Sequence, residues 1–410
     1  MRKRLNLMVI VFSLALLLVS PVAAAPGAAS LDVVRFATFN ASLNRNFAGQ
    51  LVTDLSTQSN TQARTVAEII QRVRPDVLLI NEFDFVENDV AAELFQDNYL
   101  SVSQNGAEPI EYGYHFVAPS NTGIPSGFDL NNNGAIGGPD DAFGFGFFPG
   151  QFGMAVYSRY PINYEDIRTF QLFLWKDIPG AMLPDDPNTA APADWYSAAE
   201  LDVFRLSSKS HWDVPIQIGN KVVHFLVSHP TPPVFDGPED RNGTRNFDEI
   251  RFWADYISPG NRSAYIYDDN EQYGGLKPGS MFVIAGDQNS DPLDGDSIPG
   301  SIQQLIEHPL VNTKVTPSSE GAVEAAALQG RANLTHRSDP AFDTADFADG
   351  APGNLRADYV LPRKNLQIVD AAVFWPVQAD PLFRLTGVFP FPSSDHRLVW
   401  IDIRVPGTHE

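Results

Sequence analysis

Met281-Phe-Val-Ile-Ala-Gly-Asp287-Gln-Asn289-Ser-Asp-Pro292 is the stretch on which the fold turns. Met281 to Ala285 is apolar and includes β-branched residues, which predicts a buried strand. Gly286 breaks it, and Asp287 and Asn289 follow at once. In extended backbone, residues two apart point the same way. A carboxylate and a carboxamide are therefore expected to leave a core strand side by side. The carboxylate can hold a proton or a cation, and the carboxamide can donate to an anionic oxygen. The plainer alternative is a strand that runs into an Asx-type turn.

Working outward, other strands are also followed by polar residues. Asp32-Val-Val-Arg-Phe-Ala-Thr-Phe39 alternates, so a strand is expected to end at Asn40. Val66, Ile69, Ile70 and Val73 fall at helical spacing, and Arg74-Pro75-Asp76 stops that helix. Val77-Leu-Leu-Ile80 predicts a short buried strand leading to Asn81 and Glu82. Further strands are expected over residues 154–158, 204–209, 214–218, 221–227, 357–361, 366–374 and 398–404, and helices over 247–257 and 302–306. Long stretches rich in Gly, Pro, Ala, Asn or Asp are read as insertions near 104–150, 177–213 and 313–354. No repeat, coiled coil or linker divides the rest, so residues 31–405 are expected to form one catalytic domain with insertions.

The chain has 410 residues, 43% of them hydrophobic, ample for a sizeable core. Arg2-Lys3-Arg4, the apolar run from Leu7 to Val19 and the small residues up to Ala25 predict a secretory signal peptide over residues 1–25. The run is short for a membrane span, and no later stretch is apolar enough to cross a bilayer. A secreted or periplasmic protein is expected. There is no cysteine, so a packed core or bound metal must supply the stability that disulfides give other exported proteins. Net charge is −22, and without the three basic residues of the leader it is about −25. Such a surface attracts cations and does not suit a static nucleic-acid binder, which carries a basic face. An enzyme acting on a polyanion stays open if metal ions neutralise its site.

Asn40, Glu82, His229, Asp287 with Asn289, Asp358, and Asp395 with His396 all stand at or just beyond the ends of expected strands. Each alone has a plain explanation as a turn residue, a surface charge or a satisfied buried histidine. Together they point to one rim. Carboxylates and amides there suit a hard cation such as Mg²⁺ or Mn²⁺. Two histidines suit phosphate contact, proton transfer, or both.

These residues carry a resemblance. Ala37-Thr-Phe-Asn40, Arg74-Pro-Asp-Val-Leu-Leu-Ile-Asn81-Glu82, Tyr157-Ser-Arg159-Tyr-Pro-Ile162, Ser228-His229, Gly286-Asp287-Gln-Asn289, Arg356-Ala-Asp358-Tyr and Ser394-Asp395-His396 stand in the order of the endonuclease/exonuclease/phosphatase superfamily. The chain resembles that deoxyribonuclease I-like superfamily as an exported bacterial member. The resemblance implies an α/β fold, a four-layered sandwich of two packed mixed β-sheets flanked by helices. It implies Glu82 as principal metal ligand, aided by Asn40 and Asp395. It implies Asp287 as the group that orients or deprotonates water, and Asn289 as a donor to phosphoryl oxygens. His396 would contact phosphate with Asp358 as its partner, and His229 would be a phosphate donor or general acid. Arg159 would support a phosphate. Two departures stand out: Asn81 replaces a frequent Gln, which shortens that contact, and the insertions are large.

Asp129-Leu-Asn131-Asn-Asn133-Gly134-Ala135-Ile136-Gly-Gly-Pro-Asp140 fits most of a calcium loop. Asp129, Asn131, Asn133, the Ala135 carbonyl and Asp140 would be the ligands of a structural Ca²⁺. The alternative is a flexible Asn/Gly-rich loop. The sequence thus favours an exported Mg²⁺-dependent phosphodiesterase, a nuclease first, acting as a monomer on nucleic acid. A phospholipid headgroup or a sugar phosphate is the second substrate class. Residues 143–152 offer phenylalanines either for a lipid surface or for core packing. A non-catalytic, calcium-stabilised binding module is the rival from another class.

Overall fold

The computed structural model describes residues 32–407; the expected signal peptide lies outside them. In chain order the strands are β1 (Asp32–Asn40), β2 (Val77–Asn81), β3 (Tyr114–Phe116), β4 (Met154–Ser158), β5 (Arg168–Thr169), β6 (His211–Ile218), β7 (Lys221–Ser228), β8 (Met281–Asp287), β9 (Ala345–Asp346), β10 (Asn354–Leu355), β11 (Asp358–Pro362), β12 (Gln367–Val373) and β13 (Val399–Val405). One mixed sheet runs β12-β13-β1-β2-β4-β3, and a second runs β11-β8-β7-β6-β5. β9 and β10 form a small ladder of their own.

Period-two burial explains why the two sheets stack. Val34 and Phe36 of β1, Val77 and Leu79 of β2, and Val283 and Ala285 of β8 pack in the core between the sheets. Ala37, Phe39, Leu78 and Ile80 point the other way, into the layer under the helix Thr61–Val73. Phe282 and Ile284 pack outward against the helix Arg241–Tyr256. Both faces of β2 and β8 are thus buried, so their sequences read as continuous apolar runs. The result is the four-layered α/β sandwich. Among the described residues, no helix is long and apolar enough to cross a membrane.

The helix Thr61–Val73 starts with Asn60 accepting from the Ala63 N–H and ends at Arg74, whose φ of 55° is left-handed. The helix Arg241–Tyr256 begins six residues before the expected 247. Its early turns bury polar residues, so apolar spacing could not reveal them. Arg245 donates to the backbone oxygens of Leu206, Phe143 and Arg205. Asn246 donates to Thr231 O and Gln288 O.

Two expectations fail. Residues 204–209 form no strand; the hairpin partner of β7 is β6, which starts at His211. A single bridge to Leu174 and side chains hold that stretch instead: Arg245 takes the Arg205 and Leu206 oxygens, and Asn121 takes that of Ser207. The insertion 313–354 contains the helix Glu320–Gln329, capped by Ser319. Its alanines, read as loop, are strong helix formers.

Candidate active site

Strand register brings the polar ends together. β1 and β2 run parallel with Asn40 opposite Asn81, so Asn40 and Glu82 leave the same edge. β11 runs antiparallel to β8 with Asp358 opposite Asp287. β13 pairs with β1 through Thr38 and Val399, which returns Asp395 and His396 to that edge. Gly286 is required for the close approach of β7 and β8: a Cβ there would lie 2.0 Å from Ser228 O.

Asp287 Oδ2 is the centre. Asn40 Nδ2 donates to it at 3.0 Å and reaches Glu82 Oε1 at 3.2 Å. His229 Nε2 lies 3.4 Å from the same oxygen and His396 Nε2 3.6 Å. Asp358 Oδ2 accepts from His396 Nδ1 at 2.8 Å and from the Thr344 hydroxyl at 2.8 Å. That bond fixes the ring and leaves Nε2 facing Asp287. Glu82 and Asn289 have left-handed φ values of 59° and 51°. Non-glycine residues held there cluster at functional sites.

Asp287 and Asn289 do not leave in one extended run. β8 ends at Asp287, whose Oδ1 accepts the Asn289 N–H at 2.9 Å. This is the Asx-type turn of the plainer reading, and it lies at the candidate active site. Asn289 then donates to Pro230 O at 3.1 Å, which ties β8's end to the loop that carries His229.

Burial dominates the electrostatics. It raises the Glu82 carboxyl above its ordinary range, with Asp395 adding to the shift and His396 opposing it. Burial lifts Asp287 to about 7; Asp358 also raises it, while His396 and the Asn40 hydrogen bond lower it. His396 goes the other way: burial disfavours its charge, but Asp358 and Asp287 hold its pKa well above the usual histidine value. Burial, with Lys209 and His396 nearby, pushes His229 well below that value. Charge on His396 is thus favoured and charge on His229 disfavoured. His229 Nδ1 is buried without a hydrogen-bond partner among the described residues.

Lys209 escaped the sequence reading, which placed it in a strand. It is buried, and burial lowers its pKa, opposed by Glu249, Glu82 and Asp287 in that order. Glu249 was missed too. It accepts from Ser208 N at 2.7 Å and from Thr231 N at 2.6 Å, so it anchors the loops carrying Lys209 and His229. Neither carried a plain signal: Lys209 stands among Ser207, Ser208 and Ser210, and Glu249 follows Asp248 on a helix whose buried face is partly polar. Asn81 is structural: its Oδ1 accepts Asp287 N and Thr38 Oγ1, and its Nδ2 donates to Ser228 O, which pins one sheet to the other.

Arg159 is a correction. It follows β4, which runs antiparallel to β2 with Ser158 opposite Val77 and Met154 opposite Asn81. Arg159 therefore sits at the far end of β2 from Glu82, about 20 Å away at a strand's rise, paired with Asp76 at 2.8 Å. In the 129–140 loop, both oxygens of Asp129 accept backbone N–H groups from Asn133 and Gly134. Asn131 and Asn133 also cap backbone N–H groups there, and Ala135 is exposed. Asp140 lines a cavity that also contains Glu82. The carboxylate folded back into the loop is Asp141, which accepts from Leu130 N and Gly137 N.

The donor set fits a hard divalent cation. Glu82 is a half-buried carboxylate that accepts a hydrogen bond from neutral Asn40, and Asp395 lies close enough to raise its pKa. Carboxylate and amide oxygens suit Mg²⁺ or Mn²⁺. Asp287, Asp358 and His396 also offer three ligand atoms within 4.8 Å of one another. Their hydrogen bonds mark them better as a relay that sets the state of Asp287.

Fold and rim define the class: a deoxyribonuclease I-like sandwich whose strand ends gather carboxylates and imidazoles at one mouth. The chain belongs to the Endonuclease/Exonuclease/phosphatase family, whose model matches residues 37–396. Members of that family are metal-dependent phosphoester hydrolases. No curated protein matches the sequence. Several solved structures are similar over most of the chain. An endonuclease/exonuclease/phosphatase from Beutenbergia cavernae DSM 12333 is 17% identical, with TM-score 0.48, over 92% of this chain and 72% of that one. A sphingomyelinase C from Streptomyces griseocarneus is 14% identical, with TM-score 0.44, over 90% and 99%. The truncated TDP2 of Caenorhabditis elegans is 14% identical, with TM-score 0.39, over 91% and 98%.

Proposed function

We propose an exported, Mg²⁺-dependent phosphodiesterase that acts first on nucleic acid or its fragments. The observation that carries this reading is the convergence on Asp287 Oδ2 of Asn40, His229 and His396 within 3.0–3.6 Å. In this reading Glu82, Asn40 and Asp395 hold the cation, which when bound neutralises phosphoryl charge. Asp287 takes a proton from the attacking water as the new O–P bond forms and the ester P–O bond breaks; the leaving oxygen keeps that bond's electron pair and takes its proton from solvent. The His396 cation and Lys209 face the developing charge. Neutral His229 donates one hydrogen bond to a phosphoryl oxygen. Held neutral, it is a poor general acid.

Lys209→Met is expected to cost about 10²-fold in kcat/KM, the usual scale for one donor to developing charge. Steady-state rates with bis-p-nitrophenyl phosphate check this, and a loss under about three-fold removes Lys209 from the site. The whole reading is tested on plasmid DNA, RNA, sphingomyelin, sugar phosphates and bis-p-nitrophenyl phosphate with Mg²⁺, Ca²⁺ or EDTA. Turnover indifferent to EDTA sinks the metal assignment. No turnover on any substrate, by wild type and Asp287→Ala alike, favours the binding module.

A structural Ca²⁺ in the loop beginning at Asp129 belongs to the same proposal. Ca²⁺ should slow proteolytic cleavage within that loop by on the order of ten-fold, as ligand binding protects locally opening segments. Cleavage equally fast with Ca²⁺ and with chelator, in wild type and Asp129→Ala, removes it.

A further inference from the structure

A cavity of about 480 Å³ opens beside the catalytic centre, with Glu82, Lys209 and His229 in its wall. Much of the remaining wall is aromatic: Phe145, Phe152, Tyr196, Phe204 and Phe235. Phe145 and Phe152 approach with ring centroids 6.5 Å apart. Phe145 is 48% exposed and Phe235 86%, so neither ring is spent on the core. Phe152 and Phe235 have φ values of 57° and 68°. Bulky residues rarely adopt such backbone, and strain of this kind collects at ligand sites. The wall also has a polar edge. Asn242 gives its amide nitrogen to Val234 O at 2.7 Å, which leaves its side-chain oxygen uncommitted. The Thr231 hydroxyl is buried without a hydrogen-bond partner among the described residues.

We infer that this cavity is a subsite for a planar ring with a polar edge, the base of a nucleoside phosphate ester whose phosphorus lies by Glu82, Lys209 and His229. The inference rests on the phosphoesterase reading and names the substrate class for it. Exposed aromatic walls favour a flat π-system that stacks or packs edge to face. An alkyl chain would fill the space but give nothing to the Asn242 oxygen, and an unmet polar group weighs against binding. The volume lies in the range of small-ligand sites, roughly 300–1,000 Å³. Charge agrees: a chain of net charge −22 is ill suited to a long polyanion. One nucleotide unit asks only that a single phosphate be neutralised.

Calorimetry on the Mg²⁺-loaded protein tests this with non-hydrolysable isosteres in which CH₂ replaces the ester oxygen. The adenosine compound should bind at least about ten-fold more tightly than the ribose compound, the scale of one base stacked on aromatic rings. Phe235→Ala should bring that ratio close to one, and Asn242→Ala should lower it. Because Phe235 is a surface residue, its variant is expected to fold, which circular dichroism checks. Equal affinity for the adenosine and ribose compounds overturns the subsite. So does an octyl compound that binds tightest, which would mark an acyl slot. A phenyl compound equal to adenosine overturns it as well, since the polar edge would then be idle. Turnover of bis-p-nitrophenyl phosphate is measured on the same preparation. Turnover without ring discrimination defeats the subsite alone, and ring discrimination without turnover defeats the hydrolase reading alone.

Discussion

Asp287→Asn is expected to lower kcat by about 10²–10⁴-fold, the range for loss of a general base, with little change in melting temperature. The amide keeps the side chain's shape; its one oxygen still accepts the Asn289 N–H, while its NH₂ group faces Asn40, whose Nδ2 keeps Glu82 Oε1 as acceptor. It cannot accept the water's proton, and it removes the carboxylate that helps keep His396 charged. The wild-type rate should also follow the Asp287 proton. Burial first, and Asp358 second, lift that carboxyl from 3.8 to about 7. The active form is the deprotonated one, so the rate rises with pH through that region. A cation bound at Glu82 moves the midpoint lower. The variant should lose this ascending limb. An Asp287→Asn enzyme within ten-fold of wild type, with the limb intact, would place the base elsewhere.

Glu82→Gln should produce the second large effect, a loss on the order of 10²–10³-fold at fixed Mg²⁺. The half-saturating Mg²⁺ concentration should rise at least about ten-fold. Gln retains the bulk and a hydrogen bond to Asn40 but gives up the charge. Titration with Mg²⁺ separates the two possible meanings of lost activity. An unchanged half-saturation point, with turnover merely reduced, would show that Glu82 orients substrate rather than holding the cation.

Much of this centre was legible in the sequence because it hangs on strand ends. Strands 32–39 and 77–80 show their period or apolar run plainly, and the next polar residues, Asn40 and Glu82, fall where those strands stop. Asp287, Asp358 and His396 follow the same rule. Lys209 and Glu249 broke it. Lys209 sits in a segment whose apolar residues suggested a strand but whose carbonyls are taken by Arg245 and Asn121. Glu249 lies on a helix face that is buried yet polar, a combination that periodicity of apolar residues does not register. Arg159 failed for a topological reason. Its motif was present, but the direction of β4 decides which end of the sheet it reaches, and pairing direction is not written in a five-residue strand.

The double grip of Glu249 on Ser208 N and Thr231 N makes two distant stretches of chain move as one body. Lys209 and His229 therefore keep their spacing whatever happens beyond them. The exposed excursion over residues 187–193 can change length or composition without moving these two side chains, because the tether stands between it and the reacting atoms. A fold arranged this way can be refitted to new molecules at its periphery while its working parts stay in tune.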